Sequence, residues 1–160
     1  MTDPVRVGSL RGLVMRAPGI TATKNFYLDN WGLTLAHESD GEVYFRGTGS
    51  EAFIYGLKDG PVYGIDHIHF AMPDRDATDA LHQFLVAQGE AVLGAPAEFE
   101  DFIGGYGFEM LDPDNRRLRF RAGGIKQEPL DQFAKPRKVS HVVLNSGDME
   151  GVADWYCKTL

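Results

Sequence analysis

The sequence of 160 residues contains one cysteine, Cys157. A single thiol excludes a disulfide framework and a cysteine-rich zinc site, and it fits a reducing, cytoplasmic setting. An excess of positive charge is also missing. Sixteen basic residues against 23 acidic ones leave a net charge of −7, the wrong sign for a general binder of nucleic acid or anionic membrane. No apolar run approaches the ~18 residues of a membrane span. Met1 to Val7 carries Asp3 and Pro4 and no long apolar stretch, so it does not read as a secretory signal. What remains is an ordinary globular composition, 43% hydrophobic and 24% charged. A chain of this length buries roughly two-thirds of its unfolded surface on folding and needs no staple. Its 19 glycines point to many tight turns between short strands.

The strongest internal signal is a repeat. Leu10 to Arg16 reads as a strand, broken by Pro18 and Gly19. A short helix follows from about Thr21, with Phe26, Tyr27 and Asn30 on one face and Gly32 at its C-terminal stop. Three strands come next, at Thr34–Glu38, Glu42–Arg46 and Ala52–Leu57, the first two joined by Asp40-Gly41. The pattern βαβββ then restarts. Ile65–Met72 is a strand, and Pro73-Asp74 opens an amphipathic helix with Ala77, Ala80, Leu81, Phe84 and Leu85 on its stripe, stopped by Gly89. Strands follow near Ala91–Leu93, Gly107–Leu111 and Leu118–Ala122, the last two joined by an Asp112-Pro113-Asp114-Asn115 turn. The modules are 1–60 and 61–122, together one α+β domain with an eight-stranded, cup-shaped mixed sheet and its helices outside.

Residues 123–137, with Gly123, Gly124, Pro129 and Pro136 among charges, read as a linker. At 138–160 the pattern begins a third time. Val139–Asn145 reads as a strand, Asp148 as an N-cap, and Val152, Trp155, Tyr156 and Leu160 as one helical face. An offset of 129 residues, Phe26 to Trp155, sets Trp155-Tyr156 on Phe26-Tyr27 and Val142-Val143-Leu144 on Leu13-Val14-Met15. The expectation is a fragment, ending inside its third repeat.

Paired βαβββ modules, the aromatic-Tyr pair on the first helix, and Tyr106-Gly107-Phe108-Glu109-Met110-Leu111-Asp112-Pro113-Asp114-Asn115-Arg116-Arg117-Leu118 resemble the vicinal oxygen chelate superfamily. That group holds glyoxalase I, bleomycin-resistance proteins and extradiol ring-cleaving dioxygenases. Two modules, a linker and Lys138-Val139-Ser140-His141-Val142-Val143-Leu144 look most like the N-terminal part of a two-domain extradiol dioxygenase of the catechol or biphenyl-diol type. The resemblance implies a metal-free N-terminal domain and a catalytic half holding Fe(II), with Mn(II) as the other option, on two histidines and a carboxylate. His141 takes the place of the first ligand. The other two would come from a fourth module, so this chain alone is expected to be inactive and to hold no metal stably. An aromatic diol and O2 are the implied substrates, and a homo-oligomer is expected.

His67 and His69 form a His-x-His pair on one strand face. Such a pair can seed a metal site or simply line a residual cavity. His67 aligns with His141, but the matching position in module one is Gly12, and the last strand of module two carries Arg119 where metal-binding relatives carry Glu. Module one's last strand offers only Glu51 at its edge. The domain therefore reads as a metal-free copy. His37 and His82 read as surface residues, Cys157 as a packed residue of its helix, and Glu98, Glu100 and Asp101 as an exposed loop with Phe99 and Phe102 as anchors. Gly104-Gly105-Tyr106-Gly107 lacks the Lys-Ser/Thr of a phosphate loop.

Two other readings stay open. One is a non-enzymatic small-molecule binder of the glyoxalase/bleomycin-resistance type, with Phe45, Tyr55, Tyr106 and Phe108 lining an aromatic pocket. The other is a metal site across a swapped dimer, using His67 and His141 with Glu109 or Glu150.

Overall fold

The computed structural model describes residues 6–160; the leader reading of Met1 to Val7 falls mostly outside them. Eight strands and three helices follow the order β1 (Ser9–Ala17), α1 (Ile20–Asp29), β2 (Thr34–Ser39), β3 (Glu42–Arg46), β4 (Tyr55–Asp59), β5 (Gly64–Met72), α2 (Arg75–Gln88), β6 (Ala97–Glu98), β7 (Tyr106–Leu111), β8 (Arg117–Ala122) and α3 (Met149–Thr159). The strands make one mixed sheet ordered β2-β3-β4-β1-β5-β8-β7-β6. Read outward from β1 and from β5, the two halves carry their four strands in the same sequence, which is the repeat in three dimensions. The chain divides into two compact units, one of residues 11–68 and 125–140, the other of 6–10, 69–124 and 141–160.

In the first unit β1 runs parallel to β4, while β3 is antiparallel to both β4 and β2. Leu33, Val43, Phe45, Ile54 and Leu57 form the core, with Ile20, Tyr27 and Leu28 of α1 packed on it. Full burial of a side chain such as Phe45 or Leu57 is worth about 1.5–3 kcal/mol. Phe26 was expected on the packed face of α1, but it is half exposed and the helix turns Tyr27 and Leu28 inward. The strand expected over Ala52–Leu57 begins only at Tyr55. Ala52, Phe53 and Ile54 are buried ahead of it, where Ile54 bonds to Phe45 and Leu13 without extending the β4 ladder.

The expected linker is instead fastened along much of its length. Arg46, nearly buried, donates to Gln127 Oε1 and to the Glu128 carbonyl at 2.7 Å each, and to the Gly49 carbonyl at 3.2 Å. Thr48 and Gly49 N–H groups bond to the Pro136 and Arg137 carbonyls. A β-carbon on Gly47 would lie 2.5 Å from the Pro136 oxygen, so only glycine permits this approach.

In the second unit α2 is capped as expected. Asp74 accepts from the Ala77 N–H at 2.8 Å, and Gly89 takes the left-handed C-cap at φ 78°. Its buried face is Thr78, Leu81 and Leu85, rotated from the expected stripe, so Phe84 is partly exposed. Thr78 tolerates burial because its hydroxyl donates to the Asp74 carbonyl at 2.7 Å. The strand expected at Ala91–Leu93 is reduced to a bridge between Val92 and Met110, and the two-residue β6 at Ala97–Glu98 takes the sheet edge after Gly94 and Pro96. Val139–Asn145, expected as a strand, is assigned to no strand among the described residues.

Candidate functional site

The histidines of β5 lie where the sequence places them. His67 and His69 are 4% and 2% exposed and share one face of the strand; Ile68 and Phe70 take the other, where Phe70 stacks on Phe120 at 5.7 Å. His67 Nδ1 lies 2.8 Å from Asp66 Oδ2. That hydrogen bond outweighs burial and holds the Asp66 carboxyl below its ordinary 3.8.

A metal needs further donors, and the positions that would supply them do something else. A β-carbon on Gly12 would meet the Phe53 ring at 2.9 Å, so that ring already occupies the space into which a ligand at this position would project. Glu51 is held by Arg11 Nε at 2.7 Å and Lys126 Nζ at 2.5 Å. Burial alone would raise its carboxyl, but these two cations outweigh it and hold it below 4.5. At the last-strand position of the second module, Arg119 Nε donates to Glu109 Oε1 at 2.7 Å and its Nη1 to Asp101 at 3.1 Å. A guanidinium here repels a cation and engages the nearest carboxylates. Among the described residues no three His, Cys, Asp or Glu side chains are grouped to hold a metal. The described residues at these positions do not fit one.

Arg119 is part of a larger charged ladder that the sequence reading missed. Arg117, Arg119 and Arg121 alternate along β8, with Glu109 opposite Arg119 on β7. Arg121 is fully buried; its Nη1 donates to Asp101 Oδ1 at 2.8 Å and to the Gly104 carbonyl, while Nη2 pairs with Asp101 Oδ2. The Phe99 ring lies under both guanidinium groups, 4.9 Å from Arg119 and 4.3 Å from Arg121. It also rests on Gly107, whose β-carbon would come within 2.8 Å of it. Asp101 is therefore a half-buried ion-pair partner of the buried Arg121. Burial opposes its ionisation, but the Arg121 hydrogen bond leads the effects that keep its carboxyl below 3.8. The alternating arginines were the available signal; the loop reading had Phe99 as an anchor but did not join it or Asp101 to them. A cavity of about 250 Å³ opens beside the ladder, lined by Leu93, Ala97, Phe99, Gly107, Glu109 and Arg119. This is below the usual 300–1,000 Å³ of small-molecule sites.

The four aromatic residues expected to line a binding pocket belong elsewhere. Phe45 is in the core beneath α1, and Tyr55 is hydrogen bonded to Tyr27 at 2.9 Å. Tyr106 donates to Asp79 of α2 at 2.7 Å. Phe108 is buried against His82. His82 is consequently a half-buried packing residue, contrary to expectation, and its Nε2 lies 3.2 Å from the Gly94 carbonyl. Strand alternation sends all four aromatics to the helix side.

His141 lies exposed on the extended segment before α3. The helix after it has the expected face: Val152 and Leu160 are buried, Trp155 Nε1 donates to Glu90 at 2.9 Å, and Tyr156 to Asp112 at 2.9 Å. Cys157, expected to pack, is exposed, because Trp155 and Tyr156 take the docking side of the turn.

No protein-family model and no curated relative matches the chain. Solved structures do. The Mn(II)-bound glyoxalase from Novosphingobium aromaticivorans is 29% identical with a TM-score of 0.91 over 97% of this chain and 53% of its own. A halotolerant catechol dioxygenase is 19% identical with a TM-score of 0.76, over 97% of this chain and 55% of its own. Homoprotocatechuate 2,3-dioxygenase from Arthrobacter globiformis is 16% identical with a TM-score of 0.74, over 86% and 45%. The chain thus spans about half the length of these structures, glyoxalase-type and extradiol proteins of the vicinal oxygen chelate superfamily, and it has their fold.

Proposed function

We propose that this chain, built on the vicinal oxygen chelate fold, is the metal-free structural domain of a longer metal-dependent enzyme, joined to the opening segment of its catalytic half. The whole protein is then an Fe(II)-dependent extradiol dioxygenase that cleaves a catechol-type diol with O2, in the cytoplasm and as a homo-oligomer. The observation that carries the reading is the filling of ligand positions in both modules: the Phe53 ring against Gly12, and the Arg119 guanidinium on Glu109 and Asp101. A half-length match to catechol-cleaving structures supports it further. His141 would supply one imidazole in the catalytic half. Fe(II) held by two histidines and a carboxylate supplies open positions for the diol oxygens and O2.

The 29% identity to a Mn(II)-bound glyoxalase favours a second reading, with the same division into structural and catalytic halves but another metal and reaction. One experiment separates them. Protein from the complete coding sequence is loaded with Fe(II) or Mn(II) and offered catechols under air. Oxygen uptake with ring cleavage, lowered about a hundredfold or more by His141→Ala, supports the dioxygenase. Retention of Mn(II) with no oxygen uptake on any catechol supports the glyoxalase-type reading. A complete coding sequence ending at Leu160 would sink both.

A further inference from the structure

We infer that the turn between β7 and β8, Asp112 to Arg116, fixes the His141-bearing segment and α3 against the second module. Assigning that placement to metal binding rests on the proposed function; the docking does not.

The Asp112 side chain is fully buried, which is costly for a carboxylate unless every lone pair is engaged. Four donors reach it. Oδ1 accepts the N–H groups of Asp114 at 2.9 Å and Arg116 at 2.8 Å. Oδ2 accepts Arg116 Nη1 at 2.8 Å and the Tyr156 hydroxyl at 2.9 Å. Arg116 Nη2 turns outward to Asp114 and to the carbonyl of Asn145. Closing a hairpin requires only the first two of these contacts, an aspartate bonding to backbone N–H groups just ahead of it. Two of the others reach past the hairpin. One grips α3 through Tyr156, and one grips the chain before α3 through Asn145, four residues beyond His141. Trp155 on Glu90 adds a third point of attachment, from the end of α2. Burial and the Asp112 carboxylate together push the Tyr156 phenol upward, so it stays a donor at any ordinary pH.

Asp112 and Arg116 are thus positioning residues. Asp112→Ala also removes the turn's own bonds and can disrupt the hairpin, so the decisive variant is Tyr156→Phe, which deletes one hydroxyl and leaves the turn intact. In the 160-residue chain, amide exchange over Met149–Thr159 is expected to quicken about tenfold, the cost of roughly one charge-assisted hydrogen bond. The His141 imidazole NMR signal should shift, while protection of α2 and of the β7–β8 ladder is unchanged. Arg116→Lys, which keeps the charge but loses the fork, should act in the same direction. Unchanged exchange and an unchanged His141 signal in both variants overturn the inference.

The same Tyr156→Phe change in the longer protein, read by metal affinity and not by turnover, is expected to weaken binding about tenfold. If the wild-type longer protein binds no metal, the proposed function fails and the exchange data still decide the docking. If metal binds normally while α3 is loosened, docking stands and the positioning role is overturned.

Discussion

In the first module the space beside Gly12 is taken by an aromatic ring, and the carboxylate of Glu51 is tied between Arg11 and Lys126. In the second module the histidines of β5 are kept, but a guanidinium ladder on β8 claims Glu109 and Asp101. Both copies thus tie their carboxylates to cations, and the first adds an aromatic ring where a ligand would project. Apolar filling depends on shape and tolerates shifts. A partly buried ion-pair ladder depends more on its partners, because removing one leaves its mate partly desolvated. Sensitivity to mutation should therefore be unequal between the copies.

The sharpest way to break that comparison is at Arg121. Replacing it by Met keeps much of the volume but leaves Asp101 without its main counterion. A loss of about 3 kcal/mol, read as a lower urea midpoint, is expected; a loss below about 1 kcal/mol would mean that solvent compensates Asp101. Gly12→His in the first module should cost about 1–3 kcal/mol by overpacking against Phe53. It should confer no tight metal binding by isothermal titration, and acquired tight binding would undo the filling argument.

Acid should affect both modules. Glu42, Glu51, Asp66 and Asp101 are all held below their ordinary values of 4.5 or 3.8. Groups with lowered folded-state values contribute stability that is complete above the unfolded values and is lost as pH falls through the folded ones. The melting temperature should then be steady above about pH 5 and fall below about pH 4, less steeply in Asp66→Asn. A flat profile down to pH 3 would contradict the pairing. The smallest effect is expected at Arg75–Glu98, whose side chains are 60% and 58% exposed. Arg75→Ala should change stability by no more than about 0.5 kcal/mol, and a larger loss would place that pair with the partly buried ladder instead.

Much of this was legible in the chain. The helix of the second module was marked by Asp74 and Gly89, and β3 was placed to the residue because Asp40-Gly41 fixes where its hairpin turns. Where the reading slipped, tertiary packing had overridden local pattern. Thr78 replaced Phe84 on the buried face once its hydroxyl found a backbone partner. Ala52–Ile54 were buried as a strand would be, yet β4 begins after them. The segment at 123–137 has the composition of a linker, but Arg46, 81 residues away from Gln127, makes it a strap.

The sequence alone determined the repeat and its βαβββ element order, the shared face of His67 and His69, and the missing donors at Gly12 and Arg119. All are properties of spacing and residue type, which the periods of helix and strand convert directly into position. Only the tertiary structure decided that Phe53 fills the place beside Gly12, that Asp101 and Phe99 close the arginine ladder, and that Asp112 holds Tyr156. Those contacts join residues distant in the chain. Their energies come from burial and charge pairing, which no local pattern encodes.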